Sequence, residues 1–382
     1  MAAQNLTQSA LVAVQVKLNE FIAGQNPTMF GRMEPGYVFG ALAQRSYANS
    51  RIIRDNAGRC VAFEAHWLKD SGITASIATS APAVGCEQTA TDGLVSAKKS
   101  YQPNLFATSK ILLDDDTCGT LFDSPSFGLP ESERGAELVS EALVQLMQKN
   151  RSALDEELIT RLNTNRQTDN YDNSLAPYVS WDGTNDVYNL DSFTRFATPD
   201  TLTDIDAIMQ NNDILQYFLL GGRNAFYNAI VNSQFRQEND NERFLRRFGT
   251  VAIANDIRRM DAKLNTLDSS TGNTYLFGIA DGSYVMGNFS YFNDVPVQLI
   301  RQENPTFVFR IPDPVIQINQ EGRLQPLYHD VIHTTKCGSS DGRGIPTALH
   351  EFTVMTKMIW DVAPTDTAGR TGILKFKAPV GV

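Results

Sequence analysis

The chain has 382 residues, 42% hydrophobic and 20% charged, which is enough for one large domain or two to three ordinary ones and excludes a disordered polymer. Its 33 basic and 43 acidic residues leave a net charge of −10, which excludes coating by nucleic acid through bulk electrostatics. The four dispersed cysteines, Cys60, Cys86, Cys118 and Cys337, form no C-x-x-C pair and match neither a disulfide scaffold nor a zinc ribbon.

Met1–Gly24 lacks the basic start, apolar core and cleavage site of a secretory signal, and no window of 18 apolar residues offers a membrane span. The expectation is a soluble protein, its thiols free, made and used without export. Within Leu6–Ile22, the positions Leu11, Val14, Leu18, Phe21 and Ile22 give an amphipathic helix with a sticky face. A Pro/Gly/Met-rich segment, Gln25–Tyr37, follows it. Together they read as a terminal arm, not as a core element.

From Cys60 the period becomes two. Val61, Phe63, Ala65 and Trp67 alternate with Ala62, Glu64, His66 and Leu68, as in a half-buried strand. A Ser/Thr/Ala/Gly-rich excursion, Ser71–Ser100, leads to a second apolar run, Leu105–Leu113. Strand, excursion and strand predict an extended two-stranded hairpin over Arg59–Leu113, which is marginal alone and needs a surface to lie on.

The most informative stretch is Glu131–Asn163. Leu138/Val139, Ala142/Leu143, Leu146/Met147, Ala153/Leu154, Leu158 and Leu162 recur at gaps of three and four. Pro130 suits the first helical turn, Glu131 and Glu133 suit the positive end of the dipole, and Asn163–Asn165 stop the pattern. A helix of roughly 50 Å results, well above the usual length. One apolar stripe on so long a helix predicts a strut.

Beyond it, Asp169–Asn189 reads as a polar surface loop anchored by Tyr171, Tyr178, Trp181 and Tyr188. A short helix opens at Thr198–Pro199 and carries Leu202, Ile205, Ile208 and Met209. Tyr217–Leu220 reads as a strand ending at Gly221–Gly222, and Arg223–Phe235 as a helix. Strands are expected at Tyr275–Gly278, Tyr284–Met286, Val295–Leu299 and Thr306–Ile311. The segment Arg323–Pro346 becomes loop-like toward its end. Phe352, Val354, Thr356, Met358 and Trp360, spaced by two, mark one face of a last long strand.

Candidate chemistry is sparse. His329, His333 and Cys337 would converge on a metal if helical, but Val331, Ile332, Thr334 and Thr335 are β-branched and favour a strand. On a strand, positions four apart are separated by roughly 13 Å. Gly338–Ser339–Ser340–Asp341–Gly342 matches G-x-S-x-G, yet Arg343–Gly344–Ile345–Pro346 cannot start the required helix, and only His350 follows. Replacing Ser340, His329, His333 and Cys337 by alanine is therefore expected to leave assembly intact. Asp114–Asp116 lacks the spacing of a calcium loop. Arg243, Arg246, Arg247, Arg258, Arg259 and Lys263 form a local basic group that an exposed helix or strand face also explains. No catalytic, cofactor-binding or metal-binding residue is assigned, and no cofactor is expected.

The order of elements resembles that of the major capsid proteins of tailed bacteriophages: helical arm, long hairpin, one spine helix, mixed α/β region, closing strand. The resemblance rests on topology over nearly the whole chain, and on local texture such as Leu276–Phe277–Gly278–Ile279, Asp281–Gly282–Ser283–Tyr284 and Val308–Phe309–Arg310–Ile311–Pro312. It implies an α+β fold with an N-terminal arm (1–45) and an extended β-hairpin loop (46–118). A peripheral domain (119–197) would hold the spine helix 131–163, followed by an axial domain (198–345) and a closing strand of the peripheral domain (346–382). The function it implies is non-enzymatic self-assembly into an icosahedral shell around a double-stranded DNA genome, with an encapsulin-like shell or another virion part as the alternative, ahead of a hydrolase. Its implied partners are copies of the chain in hexamers and pentamers, scaffolding, portal and decoration proteins, and DNA held without sequence specificity, with no membrane. The implied location is the virion, after synthesis in the bacterial cytoplasm. Two departures stand out. No long coiled-coil leader follows Met1, so any scaffold is expected to be separate. Lys98 and Lys99 lie where some relatives crosslink, but the surrounding sequence shows no partner asparagine and carboxylate, so that activity is not carried over.

Overall fold

The computed structural model describes residues 11–18, 38–47, 50–54, 60–69, 95–101, 103–114, 129–170, 179–190, 199–222, 250–254, 257–290, 298–301, 306–340, 346–365 and 369–379. In chain order the described helices are α1 (11–18), α2 (Val38–Gln44), α3 (Leu129–Thr164), α4 (Pro199–Asn211) and α5 (Ile257–Leu267). The early strands are β1 (Ser50–Arg54), β2 (Cys60–Lys69), β3 (Val95–Tyr101) and β4 (Leu105–Asp114), with β5 (Val179–Asp182), β6 (Val187–Leu190), β7 (Tyr217–Gly222) and β8 (Thr250–Ala254) beyond α3. The later ones are β9 (Asn273–Ala280), β10 (Tyr284–Phe289), β11 (Gln298–Arg301), β12 (Thr306–Gln320), β13 (Arg323–Ser340), β14 (Pro346–Val362) and β15 (Ile373–Pro379).

Three sheets organise these strands. One is the three-stranded β1-β2-β3. The second runs β10-β14-β13-β12-β11, with β4 also paired to β14, and is wholly antiparallel. The third runs β5-β6-β15-β9-β7-β8, with parallel pairs at β6/β15 and β7/β8. The long strand foreseen around Phe352–Trp360 is β14, and its alternate residues Phe352, Val354, Thr356, Met358 and Trp360 are all buried. The β12–β13 hairpin turns at Glu321–Gly322, both with positive φ (55° and 71°), the geometry that matches strand twist in a tight hairpin.

The spine helix is α3, 36 residues and about 54 Å long. Its C-terminal half (Leu154, Leu158, Ile159, Leu162) enters a core filled by α2, α5 and residues of both six-stranded sheets, among them Phe277, Met286 and Trp360. Its N-terminal half (Val139, Leu143, Val144, Leu146, Met147) packs with Phe307, Phe309, Val331, Phe352 and Val354. A third core, around Ile205, Met209 and Phe376, fills the opposite face of the third sheet beneath α4.

Four expectations change. Leu105–Leu113 is not the returning strand of the hairpin: it is β4, paired with β14 from Leu105↔Met358 to Asp114↔Leu349. The return is β3, whose small polar run Ser-Ala-Lys-Lys-Ser hides its strand character. Leu11, Val14 and Leu18 of α1 are fully buried beside the spine, so this helix is core, not free arm. Asp169–Asn189 contains the hairpin β5–β6, with Val187 and Tyr188 buried, because two short apolar segments flank a polar turn. Strand β13 continues to Ser340, drawn on by its pairing with β14. The foreseen Arg223–Phe235 helix and Gln25–Tyr37 segment fall outside the described residues.

Candidate functional site

Two features stand out: an arm rooted on the second sheet and a polar layer beneath the middle of the spine. In the arm, β2 and β3 pair antiparallel, in register from Phe63↔Tyr101 to Lys69↔Val95. Its root is fixed by alternate residues of β2. Phe63, Ala65 and Trp67 bury against Val285, Phe289 and Ile359. Trp67 stacks on Tyr47 at 5.6 Å and donates its indole N–H to the Gly282 carbonyl at 3.1 Å. A Cβ at Gly287 would meet the Phe63 ring at 2.8 Å, so only glycine permits this close approach. On the other face, Arg51 of β1 pairs with Glu64 at 2.7 Å. Beyond Lys69 and before Val95, residues 70–94 lie outside the described part, as do most of the Ser71–Ser100 excursion and Cys86.

The polar layer begins in the sequence of β12. Pro312 cannot donate to a ladder and, with Pro314, brackets Asp313. Residues 313–316 accordingly bulge out between the pairs Pro312↔Tyr328 and Gln317↔Pro326. The bulge aims the Asp313 carboxylate at the spine. Arg151 grips it with two contacts of 2.6 Å, and His329 Nε2 lies 3.0 Å from it. The other ring nitrogen of His329 is 2.7 Å from Thr356 Oγ1. Asn150 donates to the Val354 carbonyl and to Thr356, and Asp155 accepts the Phe39 backbone N–H. Burial raises the Asp313 pKa, but the hydrogen bond from His329 and the charge of Arg151 outweigh it and leave the carboxyl at about 2.

Thr356, His329 and Asp313 form a hydroxyl–imidazole–carboxylate row, the arrangement of a nucleophile with its base. Its side chains are buried and its carboxylate is committed to Arg151. The row therefore binds helix to sheet. A second polar link in the same sheet joins Lys357 to Asp330 at 2.9 Å, with Ser290 on the other oxygen at 2.7 Å.

The residues weighed for chemistry fall as follows. His329, His333 and Cys337 lie along β13, opposite Ile311, Phe307 and Ala348, so their backbones are strung out along the strand. His329 is tied to Asp313 at 3.0 Å, so its replacement would remove a partner of that buried carboxylate. His333 Nε2 sits 3.0 Å from His350 Nδ1 between Phe307 and Phe352. Burial, then the neighbouring His350, lowers its pKa to about 3. Ser340 ends β13 opposite Pro346, the first residue of β14, so a strand follows where a nucleophile elbow needs a helix. Asp341 and Gly342 are outside the described residues, as are Asp115, Asp116, Cys118, Arg243, Arg246 and Arg247. Arg258, Arg259 and Lys263 lie on α5. Lys98 and Lys99 lie on β3 opposite His66 and Ala65. Among the described residues no group of three or more His, Cys, Asp or Glu is placed to hold a metal ion, and no described helix is long and apolar enough to cross a membrane.

Sequence reasoning missed the Arg151–Asp313–His329 site, because Arg151 and Asp313 each read as an ordinary surface charge and His329 reads only as a candidate metal ligand. The P-D-P sequence inside a strand pattern was the available signal.

No protein-family model matches the chain, and no curated protein matches it in sequence. Solved structures align along most of its length. One from Mycobacterium phage Adephagia covers 94% of this chain and 99% of its own, at 11% identity and TM-score 0.39. One from Microbacterium phage Oxtober96 covers 91% of each chain at 15% identity and TM-score 0.37. The capsid asymmetric unit of cyanophage Pam1 covers 84% of this chain and 85% of its own, at 7% identity and TM-score 0.37. With TM-scores below 0.5, these likenesses carry no weight in the functional reading, which stands on the chain's own architecture.

Proposed function

We propose that this chain is the major capsid protein of a tailed bacteriophage, a subunit that assembles with copies of itself into the icosahedral shell around double-stranded DNA. The observation that carries the reading is the rooted hairpin: β2 packs on the second sheet and pairs with β3, beside a body built on one 36-residue helix. The intervening residues 70–94 are rich in Ser, Thr, Ala and Gly, a composition that offers little apolar surface for a core. Ordering such a segment costs conformational entropy that contacts with another subunit would offset.

In this reading the arm lies over a neighbouring copy within hexamers and pentamers, and the protein resides in the virion. Scaffolding, portal and decoration proteins complete the partners, and packaged DNA lies on the inner face without sequence readout. The segments 1–45, 46–118, 119–197, 198–345 and 346–382 then correspond to arm, extended loop, peripheral domain, axial domain and closing strand. Strands of the proposed axial segment enter both six-stranded sheets, so the units interlock. In this reading the subunit is structural, and the catalytic-looking row found among the described residues is sealed in the core.

Size-exclusion chromatography with negative-stain microscopy of the expressed protein tests the proposal. Closed shells or capsomer rings are expected, and a monomer or small dimer under every assembly condition, including co-expression with its scaffold, would sink it.

A further inference from the structure

At the end of the spine helix three side chains from distant parts of the chain meet in the interior. Asn163 lies in the last turn of α3, Asp268 directly follows α5, and Lys375 belongs to β15. Alternation on β15 turns Leu374 and Phe376 into the core beneath α4, while Ile373 faces the core around the spine. Lys375 shares the face of Ile373 and so points an amine where a hydrophobic residue would ordinarily sit. Its side chain is wholly buried and that of Asp268 is only 4% exposed. Lys375 Nζ donates to Asn163 Oδ1 at 2.7 Å and lies 2.7 Å from both oxygens of Asp268. The Tyr275 ring sits on one side, its centroid 4.9 Å from Nζ.

We propose that Lys375 and Asn163 join in an intramolecular isopeptide bond, with Asp268 carrying the protons. The Asn163 amide carbon is one C=O bond beyond Oδ1, so it lies within about 3.9 Å of Nζ and a small side-chain rotation brings it to attack distance. Asp268 takes one proton from the ammonium, and the freed lone pair forms the Nζ–Cγ bond. A second proton passes through the same carboxylate to Nδ2. The Cγ–Nδ2 bond then breaks and ammonia departs, leaving as ammonium with the first proton. Asp268 returns to its carboxylate form, and no oxidant or cofactor enters the balance.

Two physical conditions favour the step. Burial lowers the Lys375 pKa to about 8, against the opposing pull of Asp268, so far more neutral amine is present near pH 7 than on a solvated lysine. The backbone holds the partners together without their help: Gln167 N–H donates to the Ile373 carbonyl at 2.8 Å, fastening β15 to the turn after the spine. The bond would tie the spine helix to the penultimate stretch of the chain, a covalent brace inside each subunit.

Intact-mass spectrometry of the denatured full-length protein, with proteolytic mapping, decides it. The wild-type chain is expected to be lighter than its sequence by one ammonia, with a branched peptide joining the segments around positions 163 and 375. Asn163→Ala, Lys375→Met and Asp268→Asn should each have the full sequence mass, and because the readout is covalent it holds even for a variant that folds poorly. A wild-type chain of full sequence mass after prolonged incubation would overturn the proposal. So would an ammonia deficit without the branched peptide, as a succinimide would give, or one that persists in Asn163→Ala. The mass is read on the polypeptide whether or not shells form, so failure here leaves the assembly proposal standing.

Discussion

Around Arg151 the side chains decide how the spine is held. Leu146 is 3% exposed and faces Phe352 and Val354, while Gln145 beside it is exposed. Leu146→Asp places an unpaired charge in that core, at a cost of several kcal/mol, and should yield insoluble protein, whereas Gln145→Lys should be nearly silent. Equal solubility of the two variants would refute the assigned face. Arg151→Ala removes one partner of a buried pair and leaves Asp313 charged and desolvated. A loss of about 3–5 kcal/mol in the unfolding free energy of the unassembled subunit is expected, and a loss below about 1 kcal/mol would mean that water reaches the site. His333 gives a pH dependence of definite sign. Its pKa falls from 6.5 in the unfolded chain to about 3 in the fold, so between those values the unfolded state binds the extra proton. Its contribution is complete above pH 6.5 and declines as pH falls toward 3, at up to roughly 1.4 kcal/mol per pH unit. His333→Phe should flatten that acid limb in denaturation curves taken from pH 7 to 4. An unchanged slope would show that another group carries it.

Among the elements, the arm and the spine differ in how far sequence exposes them. The spine was legible because a one-face stripe at gaps of three and four over more than thirty residues has no competing reading. Strand β14 was legible for the same reason at period two. The arm was half legible: β2 alternates cleanly, but Val95–Tyr101 is a strand by virtue of its partner, and its Ser, Ala and Lys residues carry no strand preference of their own. Leu105–Asp114 has the preference but pairs with a strand some 240 residues away, which no local pattern reveals. These pairings also set the bounds of a deletion that tests the arm. Removing Ser71–Ser100 would strip β3 from β2, so the informative deletion spares it. Replacing residues 71–93 by a short Gly/Ser turn should leave a folded, monodisperse subunit with unchanged far-ultraviolet circular dichroism, yet abolish shells in the microscope. Loss of folding would place those residues in the core, and normal shells would remove the arm from assembly altogether.

For the whole subunit, the question is whether its cores melt together. Strand β14 contributes Phe352 and Val354 to the core at the N-terminal half of the spine, and Met358 and Trp360 to the core at its C-terminal half. The spine itself runs through both. The third sheet shares β9 and β15 between the spine core, through Phe277, Ile279 and Ile373, and the core beneath α4, through Leu276, Leu374 and Phe376. No core can therefore open without breaking a strand or helix that another core needs, and such coupling produces a single cooperative transition. The three tryptophans report on three different cores: Trp67 at the root of the arm, Trp181 packed against the core beneath α4, and Trp360 beside the spine. Single-tryptophan variants of the unassembled subunit, with the other two changed to phenylalanine, should each unfold in urea at the midpoint that circular dichroism reports for the same variant. A Trp181 curve displaced from its own circular dichroism curve, while that of Trp360 coincides, would show that the core beneath α4 opens as a separate unit despite the strands it shares.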